Sequence, residues 1–277
     1  MKHVTLPSGE QVPALGMGTW MIGESSSTHA EEVATLQCGI DLGMTLIDTA
    51  EMYGEGASER LVGEAIKGRR DRVFLVSKVY PHNASLKGTA AACERSLKRL
   101  GVACLDLYLL HWRGSVPLSE TVEALERLRE QGKIRHWGVS NLDPADMEEL
   151  VEQPGGEHVA VNQVLYNLSR RGIEWDLLPW CEKRRIPVMA YSPIEQARLL
   201  RQPGLRDLAG RLGMTPSQLA LAWLLRRDQV IAIPKASTRS HLEDNFASLQ
   251  CTLDPPALAA LDRLFPPPRR ATPLEML

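Results

Sequence analysis

Four polar side chains stand at or just past the ends of short apolar runs. Asp48 follows Thr45-Leu46-Ile47, Lys78 follows Val73 to Ser77, His111 follows Leu105 to Leu110, and Tyr53 lies a few residues beyond Asp48. An acid, a base, an imidazole and a phenol brought to one place can move a proton to or from a bound molecule. The phenol is the natural donor, yet a free tyrosine with a pKa of about 10 is a weak acid at neutral pH. A neighbouring ammonium stabilises the phenolate and lowers that value; Lys78 is placed to supply it, held in turn by Asp48. His111 suits the orientation of a carbonyl oxygen. Taken singly, each has a plainer reading: Tyr53-Gly54 as a surface turn, Lys78 as a solvated charge, Asp48 as a helix cap, His111 as a satisfied structural histidine. Chemistry is favoured because all four follow consecutive strands.

The elements that must position them alternate along the chain. Apolar runs of strand length fall near 14–18, 45–48, 73–77, 105–110, 134–140, 159–163, 187–191 and 230–233, with amphipathic stretches between. Thr28-His29-Ala30-Glu31 and Ser240-His241-Leu242-Glu243 read as capping boxes, Asp143-Pro144 as a cap followed by a first-turn proline, and Thr215-Pro216-Ser217-Gln218 as both devices together. Gly43, Gly101 and Gly132 mark helix ends. Eight strands alternating with helices over 277 residues predict an α/β fold, a (β/α)8 TIM barrel forming one domain over 1–277. An N-terminal hairpin over Val4 to Val12 turns at Pro7-Ser8-Gly9, and a last helix over Pro255 to Leu264 leads into an extended arm that begins at Pro266. The rival is a doubly wound open sheet, whose G-x-G-x-x-G signature is missing; Gly16-Met17-Gly18 comes nearest, but position 21 is Met. In a barrel, the strand ends carrying the quartet share one rim.

Composition narrows the partners. At 44% hydrophobic and 24% charged the chain can bury a large core, and a net charge of −2 argues against nucleic acid or an anionic membrane. Five scattered cysteines without a C-x-x-C pair read as reduced thiols, not as a disulfide framework or a metal site. The first residues lack a signal-peptide pattern, and no apolar stretch reaches the roughly 20 residues of a spanning helix. A cytoplasmic protein without a metal, monomeric or weakly oligomeric, is expected.

Asp48-Thr49-Ala50-Glu51-Met52-Tyr53-Gly54 resembles the D-T-A-x-x-Y-G segment of the aldo-keto reductase family. Ser77-Lys78, Leu105 to Trp112, Gly138-Val139-Ser140-Asn141 and Ile233-Pro234-Lys235 resemble further signature regions, in order, from about Leu15 to Asn245. The resemblance implies that a nicotinamide cofactor delivers hydride to a carbonyl carbon while Tyr53 protonates the oxygen, with Lys78 and Asp48 tuning Tyr53. It also implies a set of cofactor contacts, which includes Asp48 and begins with Gly18 and Thr19. Ser140, Asn141 and Gln163 would grip the carboxamide, Tyr191 would stack on the ring, and Ser192 and Pro193 would lie in the loop over the pyrophosphate. Lys235 would meet the ribose 2′-phosphate, with Ser237 and Thr238 adding hydrogen bonds, and Asp244 and Asn245 would approach the adenine. Many NADPH-specific members carry Arg where His241 stands; Arg239 is the candidate to compensate. NADPH is expected to be preferred over NADH, with weakened discrimination, because His is mostly neutral at pH 7.

The substrate pocket is expected to be lined by Trp20, Tyr53, Tyr80, His111 and Trp112. The connections after His111 and Tyr191 are short, which implies an open mouth for small aldehydes or ketones. The similarity is greatest to the bacterial methylglyoxal and aldehyde reductase branch. Two other readings stand beside it. One is an aldolase with Lys78 as Schiff-base lysine, which leaves Ser140, Asn141, Gln163 and Lys235 unexplained. The other is a cofactor-sensing regulatory subunit like the potassium-channel β-subunits.

Overall fold

A computed structural model describes residues 1–277. Two short strands, β1 (His3–Thr5) and β2 (Gln11–Pro13), form an antiparallel hairpin in which Val4 faces Val12. Its Glu10 carboxylate accepts from Arg135 and His136, both at 2.7 Å, near the start of a barrel strand. The hairpin therefore covers the end of the barrel away from the quartet.

Eight parallel strands follow: β3 (Met17–Gly18), β4 (Leu46–Asp48), β5 (Phe74–Val79), β6 (Leu105–Leu110), β7 (Ile134–Ser140), β8 (Asn162–Leu165), β9 (Val188–Tyr191) and β10 (Val230–Ala232). They pair in sequence order, and parallel bridges from Leu15 to Ala232 and from Gly18 to Lys235 join the last strand to the first. The Gly16 N–H donates to Ala232 O at 2.9 Å, and the Ala232 N–H to Ala14 O at 2.8 Å, closing the ring. Glycine permits that seam: a Cβ on Gly18 would stand 2.7 Å from the Ile233 carbonyl oxygen. Every residue of β5 and β6 is buried, as strands covered on both faces require.

Ten helices surround the strands: α1 (His29–Leu42), α2 (Ala57–Ala65), α3 (Leu86–Leu100), α4 (Leu118–Glu130), α5 (Pro144–Val151), α6 (Leu177–Arg184), α7 (Pro203–Arg211), α8 (Pro216–Leu225), α9 (Arg239–Ala247) and α10 (Pro255–Leu264). One cluster of 73 buried apolar residues spans barrel interior and helix layer, so both share a core. No helix is long and apolar enough to cross a membrane.

The capping signals fare unevenly. Asp143 accepts from the Asp146 N–H at 2.9 Å, and Thr215 and Gln218 make both bonds of a capping box. Gly101, at φ +67°, ends α3. Thr28 is a correction: its hydroxyl binds Glu32 instead of capping α1, and the other Glu32 oxygen accepts the Gly23 N–H at 2.9 Å. Ser240 is a second one. Helix α9 begins behind Thr238, whose hydroxyl accepts the His241 N–H at 3.4 Å, and Glu243 turns to Arg239.

The arm after α10 has no regular structure and lies along the β8–α6 connection. Thr272 Oγ1 would sit 2.7 Å from a Cβ on Gly172, Leu274 packs on the core, and Glu275 pairs with Arg170.

Candidate active site

The four chemistry-bearing residues meet at the C-terminal rim. Asp48 closes β4, Lys78 is the fifth residue of β5, His111 directly follows β6, and Tyr53 opens the turn after β4. The register pairs Asp48 with Val76, two residues before Lys78 on the neighbouring strand and so on the same face of it. Lys78 Nζ donates to Asp48 Oδ2 at 2.7 Å, to Thr49 O at 2.9 Å and to the Tyr53 hydroxyl at 3.1 Å. Three acceptors satisfy the three ammonium hydrogens, which is what a side chain with no exposed surface requires. The His111 ring meets the Tyr53 ring edge-on, with centroids 5.9 Å apart.

Tyr53 sits on a turn held by left-handed backbone at Gly54, Glu55 and Gly56, with φ of 54°, 51° and 81°. Glycine makes two of these positions inexpensive. Burial pushes the Tyr53 hydroxyl above its ordinary pKa; the Lys78 ammonium opposes that shift and Asp48 reinforces it. The net direction is upward, which corrects the expectation of a lowered value. Lys78 also ends above its usual range: burial works against its charge, but Asp48 and Tyr53 outweigh it. Burial, with Lys78 nearby, drives His111 down to about 2, so its imidazole is neutral at ordinary pH. His111 Nδ1 is buried without a hydrogen-bond partner.

Strands β7 to β9 add a ring of amides and hydroxyls to the same rim. Ser140 pairs in register with Gln163, and its hydroxyl donates to Gln163 O at 2.8 Å. Gln163 Nε2 donates to Asp48 Oδ1 at 2.8 Å and approaches Met189 Sδ at 2.9 Å. Asn141, at φ +57°, donates to Ser140 Oγ and to His111 O, and its Oδ1 accepts from the Tyr191 hydroxyl at 3.0 Å. Burial pushes Tyr191 up to about 12.

Beyond β10, Lys235, Arg239 and His241 are exposed around the start of α9. Arg239 Nε donates to Glu243 at 2.7 Å, and Thr238 is occupied as the cap. The Ser237 carbonyl accepts from Thr35. Asp244 binds Thr215 and Gln218 of the α8 cap, and buried Asn245 accepts from Ser217. On the opposite side of the seam, Thr19 is buried and its hydroxyl donates to Asp48 O at 2.9 Å.

A protein-family model, the Aldo/keto reductase family, matches residues 14–265. The chain belongs to this family. It is 51% identical over 281 residues to methylglyoxal reductase YeaE of Escherichia coli strain K12, covering 100% of this chain and 99% of that protein. Glyoxal reductase of Bacillus subtilis strain 168 is 33% identical over 245 residues, 87% of this chain and 85% of that one. A crystal structure of an aldo/keto reductase from Klebsiella pneumoniae in complex with NADP and acetate is 52% identical, with a TM-score of 0.97 over 100% of this chain and 99% of that one.

In this aldo/keto reductase the aromatic groups expected around the substrate form a chain of contacts. Trp112 tilts against His111 with centroids 4.8 Å apart and meets Tyr80 edge-on at 5.9 Å. Trp20 stands apart on the loop after β3, about two-fifths exposed at 41%. Sequence reasoning passed over Thr49, whose carbonyl takes the third Lys78 hydrogen, although it lies inside the D-T-A segment. It also passed over Asn167, Arg170 and Glu195, which tie the β8 and β9 loops together; their separation of 25 residues and more left no local signal.

Proposed function

We propose that this aldo/keto reductase uses NADPH to reduce methylglyoxal and other small reactive aldehydes to alcohols in the cytoplasm, with Tyr53 as proton donor. The carrying observation is that one buried ammonium, Lys78 Nζ, touches both Asp48 and the Tyr53 hydroxyl. The identity shared with a methylglyoxal reductase supports the substrate class.

A phenol carries its proton at neutral pH and burial strengthens that hold on Tyr53, so the donor is loaded before substrate arrives. When the proton leaves, the phenolate forms 3.1 Å from an ammonium that stays charged, which lowers the cost of the transfer. His111, being neutral, works as a hydrogen-bonding group and not as a cationic acid, and its ring stands edge-on to that of Tyr53. Tyr80 and Trp112 supply apolar walls.

The nicotinamide, when bound, supplies the hydride. Ser140, Asn141 and Gln163 offer the mixture of donors and acceptors that a carboxamide needs, and Tyr191 offers a ring face at the same rim. Lys235, Arg239 and the N–H groups opening α9 suit an added phosphate. Glu243 engages Arg239 and His241 is not an arginine, so NADPH is preferred over NADH by a modest margin.

The test is NADPH oxidation with methylglyoxal beside Tyr53→Phe, which should lose at least about 10²-fold in kcat. Undiminished turnover by the variant removes Tyr53 from its role. Equal or better kcat/KM with NADH overturns the cofactor preference.

A further inference from the structure

The loop after β9 is the most strained backbone in the chain. Ser192, Glu195, Gln196 and Ala197 have φ of 46°, 51°, 50° and 65°, half of the eight non-glycine residues with positive φ. Three of them are consecutive. L-residues hold left-handed conformations only where surroundings over-determine them.

A single carboxylate supplies that constraint. Glu195 is buried, and its Oε1 accepts from Arg170 Nε at 3.1 Å, Arg170 Nη2 at 2.9 Å and Arg198 Nη2 at 3.0 Å. Its Oε2 accepts from Asn167 Nδ2 at 2.8 Å, and the same Asn167 amide donates to Ser192 O at 2.9 Å. These bonds hold the Glu195 carboxyl below its usual range even though burial opposes them. The remaining guanidinium nitrogen, Arg170 Nη1, reaches Glu275 of the C-terminal arm at 2.5 Å. That arm continues to Leu277, whose backbone lies beside the Tyr191 hydroxyl, at the root of the strained loop.

We propose that Arg170 is a positioning residue that locks the C-terminal arm to the β9 loop and so lengthens the stay of the bound cofactor. The proposal rests on the reading above that the Ser192–Pro193 loop covers the pyrophosphate. Arg170 holds the two pieces through one planar fork, which a lysine cannot reproduce. Two cations, Arg170 and Arg198, balance two anions, Glu195 and Glu275. Removing Glu275 detaches the arm and leaves Arg170 held by Glu195 alone. Removing Arg170 does that and also strips two of the four bonds from Glu195, so the left-handed segment loses its restraint.

The experiment uses the full chain and reads NADPH release by stopped-flow fluorescence for the parent, Arg170→Met, Glu275→Gln and the double variant. Arg170→Met is expected to release NADPH about tenfold faster and Glu275→Gln about threefold faster. In the double variant, Glu275→Gln should add nothing, because both act through one contact. Hydrogen exchange without cofactor provides the second readout: segments 192–201 and 270–277 should exchange faster together in Glu275→Gln, while β4 to β6 do not change. Release within twofold of the parent in Arg170→Met and Glu275→Gln overturns the proposal, as does an equal effect of Glu275→Gln in both backgrounds. Should the parent bind no NADPH at all, the proposed function fails instead, and exchange still decides whether arm and loop move as one.

Discussion

Asp48 and Gln163 lie 115 residues apart in sequence, on β4 and β8, and are joined across the barrel mouth by a 2.8 Å hydrogen bond. The Asp48 carboxylate is thereby divided. Oδ1 accepts from the Gln163 amide, and Oδ2 accepts from the Lys78 ammonium at 2.7 Å. One buried anion orients both the group proposed to tune the proton donor and the group proposed to hold the carboxamide. With the Ser140–Gln163 and Asn141–Tyr191 bonds, a single network runs from the proton side of the rim to the cofactor side.

Asp48→Asn should therefore damage folding and chemistry together. The substitution leaves a fully buried ammonium without its counter-charge, and breaking such a pair costs about 3–5 kcal/mol. Urea unfolding at pH 7 should show a loss of that order, and kcat should fall at least about 10²-fold as the phenolate loses its ordered partner. A variant within about 1 kcal/mol of the parent would mean that Lys78 is not held charged by Asp48.

His111 should give the protein an acid-sensitive limb. Its folded pKa, about 2, lies far below its ordinary 6.5, so below 6.5 the unfolded chain binds a proton that the folded chain refuses. Stability from this group is complete above pH 6.5 and declines as pH falls, with a slope of up to about 1.4 kcal/mol per pH unit. His111→Asn removes the titration. Between pH 7 and 5 the variant's unfolding midpoint should fall less steeply than the parent's; parallel curves would place the imidazole in water.

How much was legible beforehand depends on the range of the interaction. The β6 and β7 runs, 105–110 and 134–140, match their strands: β6 is buried throughout, and in β7 only Arg135 and His136 reach the surface. Asp48, Lys78 and His111 were legible because each stands at or near the C-terminal end of such a run, and Tyr53 through the D-T-A-x-x-Y-G segment that Asp48 opens. Thr28 misled because a near neighbour competed for it: Glu32, four residues on, is fixed by the Gly23 N–H and takes the Thr28 hydroxyl. At α9 two hydroxyl residues stand two positions apart, Thr238 and Ser240, and local pattern does not choose between them. The direction of the Tyr53 shift needed burial, which no spacing reports. The Arg170–Glu195–Glu275 clasp joins segments 25 and 105 residues apart and leaves no periodic trace.

Two glycines should respond to alanine with opposite signs. Gly18 sits at the barrel seam, where a Cβ would press to 2.7 Å from the rigid Ile233 carbonyl oxygen. Overpacking of this kind costs about 1–3 kcal/mol, so Gly18→Ala should lower the urea midpoint. Gly210 lies exposed in α7 with nothing within 4 Å of a built Cβ. There alanine restricts the unfolded chain and suits the helix, and Gly210→Ala should stabilise by about 0.5–1 kcal/mol. An unchanged or raised midpoint in Gly18→Ala would mean that the seam is not sterically tight, and a lowered one in Gly210→Ala that the α7 glycine is not there for want of a better helix former.

Cofactor choice should turn on the exposed charges at the start of α9. Lys235→Met should raise the Kd for NADPH about tenfold, or about 1.4 kcal/mol, while NADH binding stays within about twofold, because only NADPH brings the extra phosphate. Glu243→Gln should act in the other direction. It frees Arg239 from a largely exposed pair, 2.7 Å long, which contributes little to stability. It also removes a negative charge from the phosphate's surroundings. Fluorescence titration with NADPH and NADH at low and high salt checks both variants. The gain in Glu243→Gln should shrink as salt rises, since exposed charges beyond a Debye length are screened. Equal weakening of both cofactors by Lys235→Met would move the phosphate contact away from Lys235.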